Sequence, residues 1–150
     1  MKEKLDIHKY DYRLELANNR LERNFYNISE KNIKTIFKFR NYLNANSYSK
    51  GRIHRYLQLL PQLAQWLKKD FDQVNKDDML KVLSSLQKRG YTANTKETYK
   101  AVIKRFYKWL LGGDEKYPSC VDWIKNKRTT LNRLPEELLT KSIQKITYIP

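Results

Sequence analysis

Residues 92–113 read TANTKETYKAVIKRFYKWLLGG, and the rest of the chain is organised around this stretch. Thr92, Asn94 and Thr95 each carry a side-chain oxygen that accepts hydrogen bonds from the free N–H groups at a helix start. Gly112-Gly113 closes the stretch with residues that tolerate a left-handed C-terminal turn. Between these ends, Tyr99, Val102, Ile103, Phe106 and Leu110 recur at steps of three and four, the spacing of one buried helical face. Lys96, Lys100, Lys104 and Lys108 recur at every fourth position, assigned to the opposite side, with Arg105 close by. Glu97 is the one acid in the helix, so the row is no lattice of i,i+4 ion pairs. Its start at a helix N-terminus adds unpaired N–H groups that favour phosphate. One side suits a core, and the other suits either solvent or a polyanion.

Composition narrows that choice. Thirty-one Lys and Arg residues against 16 Asp and Glu give a net charge of +15, with an isoelectric point near 9.8. Such an excess favours nucleic acid or an anionic membrane surface as partner. At 150 residues and 40% apolar composition, the chain is one domain, or one domain plus arms, with a modest helical core. Its single Cys120 forms no internal disulfide, and no Cys/His cluster has metal-ligand spacing, which suits a reducing compartment. No apolar run is long enough for a bilayer and no signal peptide is evident, so a soluble protein is expected.

In chain order, residues 1–28 are mixed in charge, with poor periodicity, and predict either a short helix around Tyr10–Glu22 or a mobile arm. Ser29 caps a second helix with Ile33, Ile36, Phe37 and Leu43 inward, ending near Asn44–Asn46. Ser47-Tyr48-Ser49 caps a third, at about 50–68, with Ile53, Leu57, Leu60, Ala64 and Leu67 as its inward stripe. Pro61 inside it predicts a kink, or a break near Leu60. Asn75 caps a shorter helix bearing Met79, Val82, Leu83 and Leu86, with Gly90 as its stop. After the 92–113 helix, Pro118, Val121, Trp123 and Ile124 suggest a segment that folds back on the core. Residues 125–133 then suggest a polar linker, and Leu138, Leu139, Ile143 and Ile146 resume helical spacing.

No catalytic constellation is visible. His8 and His54 stand in different elements, Cys120 has no sequence-near histidine, and the few glycines sit at helix ends without forming a phosphate loop. Eleven tyrosines remain. Tyr56, Tyr99 and Tyr107 fall on or beside apolar stripes, whereas Tyr10, Tyr12, Tyr48 and Tyr91 fall near helix ends and are either simply exposed or phosphate contacts.

The segments SYSKGRIHRYLQLLPQLAQWL (47–67), DDMLKVLSSLQKRG (77–90) and YTANTKETYKAVIKRFYKWLLG (91–112), in this order, resemble the SAM-like core-binding domain of tyrosine recombinases, the phage integrase family. The motif Thr95, Tyr99, Phe106, Tyr107, Trp109 and Leu110 carries the likeness. YPSCVDWIKNKRTTLNRLPEELLT (117–140), with Leu134-Pro135, looks like the passage toward a catalytic domain of archaeal integrase or Xer-like type. The resemblance implies an all-α fold, an orthogonal four-helix SAM-like bundle with an N-terminal helix or arm and a C-terminal linker. It divides the chain into an arm (1–28), a DNA-binding domain (29–113), a return loop and linker (114–134) and the start of a truncated catalytic domain (135–150).

The same resemblance implies one half of a clamp on double-stranded DNA, with the third and fifth helices of this chain facing the major groove. Its expected DNA contacts are Lys50, Arg52, Arg55, Lys96, Lys100 and Lys104, which the charge pattern also selects, together with Tyr48, Ser49 and Thr95 near helix N-termini. Other recombinase protomers are the implied protein partners in a synaptic complex, the isolated domain being monomeric, and the setting is the cytoplasm, at the nucleoid. The family cleaves strands with a tyrosine, arginines, a lysine and a His-x-x-Arg box, without metal or cofactor. Here His8 is followed by Asp11 and His54 by Leu57, so the box is absent and no tyrosine is assigned as nucleophile. The segment after Thr140 departs from the family, reading Lys141-Ser142 where an acid-rich helix start is usual. Two competing readings are a basic helical adaptor for an acidic protein and, less favoured for want of a free apolar face, a membrane-surface protein.

Overall fold

The computed structural model describes residues 8–126. Within them the chain forms α1 (Tyr10–Glu22), α2 (Glu30–Ala45), α3 (Lys50–Leu67), a 3-10 turn (Phe71–Gln73), α4 (Lys76–Lys88) and α5 (Ala93–Leu110), with no strand among the described residues. The all-α expectation therefore holds. The expected start of a second domain at 135–150 lies outside the described residues, as do residues 1–7 and the linker beyond Asn126.

Local chemistry sets most boundaries. The hydroxyls of Ser29, Ser49 and Thr92 each accept the backbone N–H three residues on, at 3.2, 3.2 and 3.1 Å. Asn75 and Asp78 form a reciprocal capping box at the start of α4. The C-terminal ends differ from the sequence expectation. The left-handed residue after α2 is Ser47, with φ 61°, rather than an asparagine, and α4 ends because Arg89 turns extended, with Gly90 outside the positive-φ region. Gly112 has a steric reason to be glycine, since a Cβ there would stand 1.8 Å from the Lys116 carbonyl oxygen.

Helix α3 is the axis of the fold and touches α1, α2, α4 and α5. It runs unbroken through Pro61, against the break near Leu60 that the proline suggests. An interior proline costs about 3 kcal/mol or more. Burying Ile53, Tyr56, Leu57, Leu60, Leu63 and Leu67 at about 1.5–3 kcal/mol each outweighs it.

Around α3, Phe39 of α2 meets Tyr56, Phe106 and Trp109 at ring distances of 5.1, 5.3 and 5.0 Å, and Phe71 meets Phe106 at 4.8 Å. The inward residue of α2 is thus Phe39, while Phe37 is half-buried beneath the Arg40 guanidinium. Helix α1, left by its sequence between helix and arm, is a helix that buries Ala17 and Leu21 against this core. Only those two of its side chains are buried, which explains its weak pattern. The segment after α5 returns to the core through Cys120, Val121 and Ile124.

Asn32 is the one uncharged polar side chain buried among the described residues. Its Nδ2 donates to the Lys69 carbonyl at 2.9 Å, and its Oδ1 accepts from the Phe71 N–H at 2.8 Å. Ser29 donates to Asp70 beside it at 2.7 Å, so the start of α2 holds the loop between α3 and α4.

Candidate nucleic-acid interface

The sequence Ser47-Tyr48-Ser49-Lys50-Gly51-Arg52 turns the chain from α2 into α3 and gathers one group of the expected DNA contacts. Ser49 is the cap, its hydroxyl occupied by the Arg52 N–H. The Arg52 guanidinium lies 4.6 Å from the Tyr48 ring centroid, and Arg52 is exposed. The Tyr48 hydroxyl accepts from Arg105 Nε of α5 at 3.1 Å. Arg105 also donates to Asp114 at 2.7 Å and to the Tyr42 hydroxyl at 3.2 Å, and Tyr42 donates to the second oxygen of Asp114. Partial burial works against the Arg105 charge, but these bonds outweigh it, so the guanidinium is held more firmly protonated than usual. Arg105, noted in the sequence only as a neighbour of the lysine row, is the residue that joins α5 to the entry of α3.

Lys50 pairs with Asp11 of α1 at 2.6 Å. Arg52 and Arg55 are exposed and form no ion pair among the described residues.

The second group lies on α5 and differs from the expected free row. Each step of four residues advances about 40° round a helix of 3.6 residues per turn, so a row spaced by four winds across faces. Lys96, Lys100, Lys104 and Lys108 are all half-buried, flanking the core instead of standing opposite it. Lys96 Nζ donates to the Gln87 carbonyl at 2.9 Å. Lys100 pairs with Glu97 at 2.9 Å, their side chains 13% and 11% exposed. Lys104 donates to the Ile124 carbonyl at 3.0 Å and lies 4.7 Å from the Tyr117 ring centroid. The Thr95 hydroxyl meets that of Thr92 at 3.0 Å within the cap. Three amines counted toward a polyanion thus have partners within the protein.

Other chemistry is sparse. Burial raises the Cys120 thiol, leaving it a poorer nucleophile than a free cysteine. No group of three His, Cys, Asp or Glu side chains suited to a metal occurs among the described residues. No helix among them is long and apolar enough to cross a membrane.

Set beside known proteins, residues 36–116 match the family model for the phage integrase N-terminal SAM-like domain, from within α2 to just after α5 and over more than half of the chain. No curated protein and no solved structure matches.

Proposed function

Because the chain belongs to the family of phage integrase N-terminal SAM-like domains, we propose that it is the DNA-gripping part of a site-specific tyrosine recombinase. It holds one side of a duplex, with residues 29–113 as the binding domain and 114–134 as the path toward a separate catalytic domain. Strand cleavage belongs to that domain, and this chain supplies binding and orientation. Its protein partners are further recombinase protomers assembled on the same DNA.

The observation that carries the reading is the Arg52–Tyr48–Arg105 arrangement. Arg52 is planar, exposed and without an ion pair among the described residues, and the aromatic face beneath it orders it before any ligand arrives. A pre-ordered guanidinium loses less entropy on meeting a phosphate or a guanine edge. Arg55 lies one turn further along the same helix. Lys50, Lys96, Lys100 and Lys104 act as a second rank, because each must first release a protein partner. Tyr48, Ser49 and Thr95 sit where backbone phosphate would pass the two helix starts.

The test is fluorescence anisotropy with a labelled duplex across a range of salt. Affinity should fall steeply with salt, and Arg52→Ala should weaken binding and flatten the slope by about one unit. Duplex binding that is unchanged in Arg52→Ala would remove this surface from the interface. Preference for an acidic polypeptide over duplex DNA would favour the adaptor reading.

A further inference from the structure

On α1, Arg13 and Arg20 stand seven residues apart, which places them on one helical face. On α3, Gly51, His54, Arg55 and Gln58 share a face by the same spacing of three and four. The two faces meet around a surface cleft of about 370 Å³ that Leu16 also lines. Arg13, Arg20, Arg55 and His54 all line it, and no carboxylate does. None of the three arginines forms an ion pair among the described residues.

The packing holds this convergence in place. A Cβ on Gly51 would meet the Tyr10 ring at 3.0 Å, so the first turns of the two helices are in direct contact. The Lys50–Asp11 ion pair ties the same turns together beside the cleft. Burial, and then the charges of Arg13 and Arg20, depress the proton affinity of the His54 imidazole. Like charges brought together around a concavity repel one another until an anion enters, and a concave basic site concentrates anions.

The geometry points to a phosphate-binding cleft between α1 and α3 that takes one backbone phosphodiester of the duplex. It extends the DNA footprint onto a helix that precedes the matched segment 36–116. The assignment rests on the DNA-binding reading above, shares Arg55 with it, and adds Arg13, Arg20 and His54. Arg13 and Arg20 supply the fork from α1, Arg55 closes the site from α3, and His54 becomes protonated as the phosphate enters. From α1 the imidazole is faced by Tyr10, Arg13 and Arg20, and from α3 by Arg55 and Gln58, so a bound anion supplies the negative charge that the lining lacks.

The experiment compares the wild type, Arg13→Ala/Arg20→Ala and Arg52→Ala, each titrated with a duplex at several salt concentrations and followed by NMR of the His54 ring. The double variant should lose roughly tenfold or more in affinity and about one unit of salt slope, with its thermal midpoint held. In the wild type the His54 titration midpoint should rise on binding duplex, and in the double variant it should not. Wild-type affinity and slope in the double variant, alongside a loss in Arg52→Ala, would overturn the cleft while leaving the DNA-binding reading intact. Should the wild type bind no duplex, inorganic phosphate decides the remainder. A His54 shift with phosphate alone would then overturn the duplex assignment in favour of a free-phosphate site, and no shift would overturn the site altogether.

Discussion

Arg105 Nε on α5 donates to the Tyr48 hydroxyl at the entry to α3, 3.1 Å away, and Nη1 of the same guanidinium reaches Asp114 beyond the end of α5. One side chain thus fastens two helix ends and a turn. Arg105→Ala should cost about 1.5–3 kcal/mol, the range for hydrogen bonds to a charged group. Arg105→Lys should recover only part, because an ammonium cannot reproduce the planar fork. Urea unfolding of both variants checks the order.

Phe106 is fully buried at the centre of the aromatic cluster, between Phe39 and Phe71. Phe106→Ala should cost about 3–5 kcal/mol as a cavity-forming truncation. A loss well under 1 kcal/mol would mean that α5 presents another face to the core.

Replacing Asn32 by leucine should destabilise the protein even though leucine is apolar and similar in size. The change leaves the buried Phe71 N–H unpaired, at an expected cost of about 1–3 kcal/mol, and takes the Asn32 donor from the part-buried Lys69 carbonyl. Faster amide hydrogen exchange confined to residues 69–74 would mark the loop as the part released.

Two glycine substitutions should move in opposite directions. Gly112→Ala drives a methyl into the Lys116 and Lys108 carbonyl oxygens, so part of the turn after α5 must shift and stability should fall. Gly90→Ala meets no atom within 4 Å and needs no positive φ, so it should be neutral or stabilising by about 0.4–1 kcal/mol. Thermal midpoints of the pair check this.

Stability should decline at both ends of the pH range. His54 is depressed below 6.5 in the folded protein by burial and by Arg13 and Arg20. The unfolded chain therefore binds more protons, and this contribution is present above 6.5 and lost as pH falls through the folded value. Tyr99 is pushed by burial up to about 12, and burial raises Tyr107 further. Their contribution is present below 10 and lost above it. Urea midpoints against pH should show both limbs, with His54→Gln removing only the part of the acid limb that begins near 6.5. The part at lower pH stays, because hydrogen bonds hold Asp72, Asp78 and Asp114 below the usual carboxylate range.

How much of this was legible in the sequence depended on what kind of signal each residue carries. The stripes of α3, α4 and α5 were readable because an apolar residue every three or four positions marks one face of a helix, and the buried sets Ile53–Leu67 and Met79–Leu86 match them. The caps Ser29, Ser49, Asn75 and Thr92 were readable because their chemistry is local. Phe39 was missed for Phe37 because the two are equally apolar, and the choice depends on a neighbour, Arg40, covering one of them.

The lysines of α5 stand away from the expected solvent face for a geometric reason. Spacing by four looks like a straight stripe but winds round the helix, carrying Lys96 to the edge of α4 and Lys104 to the return segment. A Lys100→Ala change, harmless on a solvated face, here leaves Glu97 nearly buried without that partner. The α1–α3 cleft gave no sequence signal at all. Arg13 and Arg55 are 42 positions apart, and nothing in the poor periodicity of α1 says which helix it meets.

Cys120 gives the segment after α5 a chemical reporter. It is the only thiol in the chain, and it lies buried in the segment that returns beneath α5, held there by Val121, Ile124 and the Lys104 bond to the Ile124 carbonyl. A reagent can reach that sulfur only when the segment lifts away. The rate of thiol labelling is therefore a clock for this one local opening, readable while the rest of the bundle stays folded. The same clock, run with and without duplex DNA, reads whether a bound duplex stills that return segment.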